Sequence, residues 1–140
     1  MAMAAEVYGG IDYSRVRRAL GPVRTSELVG SFSIDASATE NIDFEDMEGY
    51  SAIVLTVRAT YSGGSTKGVR VRWLYSADGT DYDSEDDAEA QGNYEDLSFA
   101  AGETRQRSIL IPIFTEHVRA QLVNNGEEMV SVRVWKTLMR

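Results

Sequence analysis

The part of the chain best equipped for chemistry is a run of carboxylates that begins at Asp78. Acids at alternate positions, such as Asp81 and Asp83, can converge on Ca²⁺, which takes about six to eight oxygen ligands. A helical calcium-binding loop needs acids at positions one, three and five, glycine at six and glutamate at twelve. Counted from Asp81, position six is Asp86 and position twelve is Gly92; counted from Asp78, position three is a threonine. Neither start fits.

The acidic residues are concentrated in one segment. The chain has 22 acidic and 14 basic residues, a net charge of -8. Ten of the acids and none of the bases lie between Asp78 and Glu103, which we call the acidic segment. We expect an insertion between two strands at about 77–106. Loops of this length in compact domains are usually functional or disordered. Asp81 and Asp83 are then either calcium ligands or, as charge runs usually are, members of a solvated loop.

Residue types disfavour an enzyme. There is no cysteine and one histidine, His117, and no recognisable serine elbow accompanies that histidine. We therefore expect no catalytic residue and no cofactor other than calcium, although an active site that the sequence does not reveal is a further alternative. The acidic balance argues against non-specific binding to nucleic acid. No apolar run approaches the ~20 residues of a membrane helix, and Met1–Gly10 does not resemble a secretory signal.

From about Leu28 onward, apolar residues recur at every second position, which predicts β-strands. The residues predicted to face the core are Ile53, Leu55, Val57, Ala59, Val69, Val71, Trp73, Tyr75, Ile109, Ile111, Ile113, Val118, Ala120, Leu122, Val130, Val132 and Val134. Pro112 predicts a sheet edge or a bulge, and Asn124–Glu127 predicts a hairpin turn. The pattern predicts an all-β antiparallel sandwich over residues 25–140. Periodicity does not separate a jelly-roll-like from an immunoglobulin-like sandwich, because they differ in connection order; we predict the jelly-roll-like form.

Aromatic side chains offer an alternative function. An aromatic platform for a sugar could be built from Trp73, Tyr75, Tyr82, Tyr94 and Trp135. However, Trp73 and Tyr75 share the parity of the core valines and are predicted to be core residues. Trp135 lies on the opposite face of its strand, where it is either exposed or packed under an N-terminal arm formed by residues 1–24. We favour packing in the core or between subunits over sugar binding.

Arginines occupy the outward parity of four predicted strands. They are Arg58, Arg70, Arg72, Arg119 and Arg133. If these strands are neighbours, the arginines form one basic stripe on one sheet. Pairing with the acidic segment, within the subunit or on another subunit, is the simpler expected use, since complementary patches orient assembly.

Residues 1–24 differ from the rest and predict an extended N-terminal arm. The segment is rich in glycine, and four arginines against two acids give it a charge of +2. A short helical turn over Ser14–Leu20 is possible. Such an arm becomes ordered only when it lies on a surface, its own or a neighbour's. We predict that Arg15, Arg17, Arg18 and Trp135 belong to an assembly interface.

Two stretches resemble known proteins. Residues 69–82, which end in Tyr-Ser-Ala-Asp-Gly-Thr-Asp-Tyr, resemble the strand and turn of discoidin-like and related jelly-roll sandwiches. Residues 118–126 with 130–134 are similar to the terminal hairpin of small β-sandwich structural proteins of tailed phages. The resemblance implies a non-enzymatic role in a virion or its assembly. The carbohydrate-binding loops of discoidin-like lectins have no counterpart here, so sugar binding is not implied.

Together these features predict a virion structural protein of a tailed phage or archaeal virus. It would be a capsid decoration protein or a head–tail or tail component that assembles with itself and with other virion proteins, and it would be located in the virion. A carbohydrate- or calcium-binding module is the alternative.

Overall fold

The computed structural model describes residues 25–61, 67–98 and 102–140, together with two short strands near the start. These strands, β1 (Val7–Tyr8) and β2 (Ile11–Asp12), pair antiparallel. The rest of the predicted arm, including Ser14–Leu20 with Arg15, Arg17 and Arg18, lies outside the described residues.

Eight further strands and one helix form the sandwich. They are β3 (Ser26–Ile34), β4 (Thr39–Phe44), β5 (Ala52–Tyr61), β6 (Val69–Ser76), α1 (Glu85–Ala90), β7 (Tyr94–Leu97), β8 (Thr104–Pro112), β9 (His117–Asn124) and β10 (Val130–Met139). The first sheet has the order β3-β10-β5-β8 and the second β4-β9-β6-β7, with every pair antiparallel. This is the eight-strand order of a jelly roll.

The strand order follows from one long folded-over ribbon. The pairs β6–β7, β5–β8, β4–β9 and β3–β10 are those of a single hairpin running from its closed end to its open end. Wrapping that ribbon around the core adds the pairs β5–β10 and β6–β9. The predicted all-β sandwich is confirmed, and the pairing decides between the two alternatives in favour of the jelly roll.

The core lies between the two sheets and has the predicted composition. Leu55 and Val57 of β5, Val71 of β6 and Leu122 of β9 have no exposed surface. Of the residues predicted to face inward, only Ile113, just beyond β8, is partly exposed. Successive side chains of a strand point to opposite faces, so burial of one parity on both sheets makes a single apolar layer. Pro112 ends β8, which is an edge strand, as predicted.

The predicted hairpin at Asn124–Glu127 is wrong. β9 and β10 belong to different sheets, so this turn carries the chain across the sandwich. The fully buried Asn124 side chain accepts a hydrogen bond from Tyr61 Oη (2.7 Å) and donates to the carbonyls of Ile34 (2.9 Å) and Glu128 (2.8 Å). The Asn-Gly signal marks a tight turn, but satisfying buried backbone groups at the end of the sandwich is what this asparagine does.

The acidic insertion contains regular structure and is not simply a solvated loop. Ser84 begins α1 by accepting a hydrogen bond from the amide of Asp87 (3.1 Å), and acids in the first turn suit the positive end of the helix. Ala88 is buried against the sheet. β7 then pairs with β6 and extends the second sheet, while α1 packs over β6 on the outer face of that sheet. Within the described ranges, no helix is long and apolar enough to cross a membrane.

Candidate functional site

The outer face of the second sheet is neutralised by ion pairs. Arg70 donates from Nε to Asp96 Oδ1 (2.8 Å) and lies 3.1 Å from a carboxylate oxygen of Glu89. Its guanidinium also stacks 4.1 Å from the ring centre of Tyr94. The hydrogen bond with Asp96 raises the pKa of Arg70 above its ordinary value. The positive charge of Arg70 is therefore compensated by two carboxylates of the same molecule.

Arg72 faces outward from the core yet is buried under α1. Only 9% of its side chain is exposed, and it pairs with Glu85 (3.0 Å), Glu89 and the Gln121 amide oxygen (2.8 Å). The hydrogen bond from Arg72 lowers the pKa of Glu89. Pairing of strand arginines with the acidic segment is therefore confirmed for Arg70 and Arg72, whereas solvent exposure of Arg72 is not.

Arg119, the third arginine of this face, uses a carboxylate from a neighbouring strand instead. Its Nε lies 2.6 Å from Asp43 Oδ1 and its Nη2 lies 3.1 Å from Asp43 Oδ2, a two-bond contact across β9 and β4. This contact raises the pKa of Arg119. The guanidinium stacks 4.1 Å from the ring centre of Tyr82, so another predicted platform aromatic is occupied by an arginine.

The carboxylates considered for calcium mostly hold the backbone. Asp78 Oδ1 accepts hydrogen bonds from the amides of Thr80 and Asp81, both at 2.9 Å, and these bonds lower the pKa of Asp78. Asp83 approaches the amide of Tyr75 at 3.4 Å, and the Asp81 side chain is exposed. In the part of the chain that the structure describes, no three acidic, histidine or cysteine residues form a metal-binding group. Calcium at Asp81 and Asp83 stays a prediction.

His117 closes the turn at the start of the acidic segment. Its Nδ1 contacts the carboxylate of Glu45. A β-carbon added at Gly79, whose φ is 78°, would lie 3.0 Å from the imidazole ring. The glycine is therefore required both by its backbone conformation and by the close approach of the ring. The geometry gives this histidine a packing role.

None of the described residues covers the outer face of the first sheet, which we call the open face. Its side chains, in four rows across β3, β10, β5 and β8, are Ser33, Ser131, Thr60 and Thr104; Ser31, Arg133, Arg58 and Gln106; Leu28, Trp135, Thr56 and Ser108; and Ser26, Thr137, Val54 and Leu110. Nine of these sixteen positions carry a hydroxyl group and none carries a carboxylate. Hydroxyl pairs bridge strands, as in Thr56–Ser108 (2.8 Å) and Ser26–Thr137 (2.6 Å).

Two arginines face each other across the centre of the open face. Arg58 and Arg133 are direct cross-strand partners, and like charges in that position are destabilising. Both guanidiniums lie over Trp135, at 4.9 and 5.4 Å from a ring centre, and Arg58 also donates to Gln106 (3.0 Å). Stacking on the ring offsets part of the repulsion. Among the described residues, neither arginine forms an ion pair with a carboxylate.

The open face contains two shallow depressions on either side of Arg58. One, of about 350 Å³, includes Arg133, and the other, of about 320 Å³, includes Trp135. Both are wide open to solvent, unlike the concave pockets that enclose small ligands.

The structure separates the residues that the sequence grouped. Trp73 and Tyr75 are core residues, as predicted, and burial raises the pKa of Tyr75 to about 12. The single basic stripe is wrong, because the five arginines divide between two sheets. Trp135 is partly buried beneath arginines of the same sheet. Sequence reasoning missed the rows of hydroxyls and Gln106. The available signal was the segment 104–108, in which all five residues are polar and Thr104, Gln106 and Ser108 share one parity.

No protein-family model matches the chain, and no curated protein sequence matches it. The jelly roll is shared by viral capsid proteins, lectins and cupins, so the fold alone does not decide the function. The function must therefore be inferred from the chain's own surfaces.

Proposed function

We propose that this protein is a non-enzymatic structural component of a virion, a capsid decoration protein or a head–tail or tail component. It assembles through its N-terminal arm and its sheet surfaces. The observation that carries this proposal is the open face, where Arg58, Arg133 and Trp135 form a flat centre without a carboxylate. Arginine and tryptophan are enriched at the energetic centres of protein interfaces.

The described groups that could do chemistry support a structural role. Asp78 and Asp83 bond to backbone amides, and His117 packs against Gly79. Glu85 and Glu89 neutralise Arg72. These groups are engaged by contacts within the molecule, whereas Arg58 and Arg133 of the first sheet form no ion pair among the described residues.

The arm supplies the second part of the proposal. Its charge of +2 is opposite to that of the acidic segment. An arm laid on a neighbouring subunit would bury its apolar residues there and join subunits into a symmetric or ring-like oligomer.

Deletion of residues 1–24 tests the proposal. The described core residues and the side chains packed against them lie between Val29 and Leu138, so the truncated chain is expected to fold, which a urea unfolding curve would verify. Light scattering and negative-stain microscopy should show discrete assemblies of the full chain and smaller species of the truncated chain. A full chain that remains a monomer at high concentration, or a truncated chain with unchanged mass, would contradict the proposal.

A carbohydrate-binding role is the second candidate, and the observation that favours it is Trp135 among the hydroxyls of the open face. Calorimetric titration with neutral and acidic oligosaccharides, on the wild type and Trp135→Ala, tests it. Binding that Trp135→Ala abolishes would support this candidate.

A calcium titration of the wild type and of Asp81→Asn/Asp83→Asn tests the remaining metal prediction; no heat of binding means no site.

A further inference from the structure

The open face contains an electrostatic repulsion between two arginines that the fold does not require. Arg58 and Arg133 are opposite one another in the ladder, and a neutral residue at either position would remove the repulsion. An anionic partner placed against them would remove it as well. Trp135 holds both guanidiniums in position, and Gln106 also holds Arg58, before any partner arrives. Such preorganisation lowers the entropic cost of binding.

The opposite side of the same molecule carries suitable anions. Asp81, Asp86 and Asp87 are exposed, and their carboxylates take part in none of the ion pairs of the described residues. Ala88 faces the sheet, and Glu85 and Glu89 reach Arg72. We call Asp81, Asp86 and Asp87 the free carboxylates.

From this charge complementarity we propose that the open face binds the free carboxylates of a second copy of the chain. This inference rests on the proposed assembly function and names the partner of the open face. Arg58 and Arg133 supply the charge-assisted hydrogen bonds to the carboxylates, and Trp135 supplies apolar area between them. The surrounding hydroxyls meet the polar rim of the partner.

The positions of the two surfaces determine the symmetry. The open face belongs to the first sheet, whereas Asp86 and Asp87 lie on α1, which packs over β6 of the second sheet, so the two surfaces lie on opposite sides of the sandwich. A two-fold dimer cannot engage both surfaces of both copies. The contact must be heterologous, head to tail, which generates a ring if the rotation closes and a filament if it does not.

The contact should be weak on its own. Four strands about 4.8 Å apart and rows spanning about 20 Å give a surface on the order of 300 Å² in projection. A stable standard interface buries about 800 Å² on each partner. Association through this contact alone is therefore expected only at high concentration, and it should weaken as salt rises because much of the attraction is screened.

Charge reversal on the full chain, with its arm intact, tests the inference. One variant is Arg58→Glu/Arg133→Glu and the other is Asp81→Lys/Asp86→Lys. Sedimentation velocity over a concentration series should show association weakened about tenfold or more for each variant alone. A mixture of the two should associate like the wild type, because each reversed surface then meets its opposite. The matched control Glu48→Lys/Glu116→Lys adds the same charge as the aspartate variant at exposed positions outside both surfaces and should behave like the wild type.

Three results would overturn the inference. The first is that each variant alone assembles like the wild type while deletion of the arm still disrupts assembly; the inference then fails and the proposed function stands. The second is that the mixture does not recover, or that the wild type forms only a two-fold dimer. The third is that the wild type stays monomeric but binds heparin through Arg58 and Arg133, which would make the open face a site for an anionic polymer.

Discussion

The two sheets of this sandwich treat their outward arginines in opposite ways. On the second sheet, Arg70 and Arg72 contact Glu89, and the acidic segment lies over them. On the first sheet, Arg58 and Arg133 share the ring of Trp135, Arg58 alone also donates to the Gln106 amide, and nothing in the described residues covers them. The same residue type thus serves the fold on one face and is available to a partner on the other.

The difference shows how an acidic protein can present a basic surface. The net charge is -8, yet the open face has two arginines and no carboxylate. Ten acids lie in one segment, and its described helix α1 and strand β7 belong to the side of the second sheet. Separation of charge between two faces gives each copy a direction, which a head-to-tail assembly needs.

The largest expected effect is the difference between the unfolding free energies lost when an arginine is removed from each of the two faces. Arg72→Ala should lower the free energy of unfolding by about 2–3 kcal/mol, because Gln121 and Glu89 lose a buried partner. Arg133→Ala should change it by less than about 0.5 kcal/mol, since an exposed side chain is removed. Urea unfolding at pH 7 measures both. Equal losses would erase the distinction between the faces.

A smaller effect concerns how the free energy of unfolding depends on pH through Glu89, which pairs with Arg72 on the outer face of the second sheet. Arg72 lowers the pKa of Glu89, so the ionised form stabilises the fold at pH values above about 4.3, the ordinary pKa of glutamate. That contribution disappears as pH falls through the lowered pKa. Glu89→Gln should therefore cost about 0.5–1 kcal/mol at pH 7, a modest figure because 33% of the side chain is exposed, and nothing in strong acid.

Urea unfolding between about pH 7 and pH 2 would measure this effect. Glu48→Gln, at an exposed position that forms none of the ion pairs of the described residues, should follow the wild-type curve. If the unfolding free energy of Glu89→Gln ran parallel to that of the wild type over the whole pH range, ionisation of Glu89 beside Arg72 would not contribute to stability.

The smallest effect is spectroscopic and compares the two tryptophans. Trp73 is 6% exposed in the core, whereas Trp135 lies partly buried on the basic open face. Iodide should quench Trp135 several-fold more strongly than Trp73, because the two arginines attract the anion. Trp135→Phe should leave a blue-shifted emission that resists iodide. If that emission is quenched as strongly as in the wild type, the contrast between a dry core and an accessible open face is incorrect.

The sequence predicted burial better than it predicted neighbours. Alternation placed Leu55, Val71 and Val134 in the core, and the structure buries all three. The same alternation placed Arg72 outward, which is geometrically right, but it could not show that α1 would cover the side chain. Asn124 was assigned to a hairpin because the local Asn-Gly signal marks a tight turn and not the sheets that the turn connects.

The candidate site was only partly accessible to prediction. Trp135 was placed on the face opposite the valines, and that is where it lies. Its companions Arg58 and Gln106 come from two other strands, and their proximity depends on the β10-β5-β8 order. The arm arginines Arg15, Arg17 and Arg18 lie outside the described residues and stay predicted members of the interface.

The sequence by itself determined which side chains turn inward, because the two-residue period is a local property of an extended backbone. It also determined that nearly half of the acids lie in one segment. Only the tertiary structure decided that Arg70 and Arg72 would be neutralised while Arg58 and Arg133 would not. That outcome depends on which distant strands become neighbours when the ribbon wraps into two sheets, and no local pattern encodes this pairing.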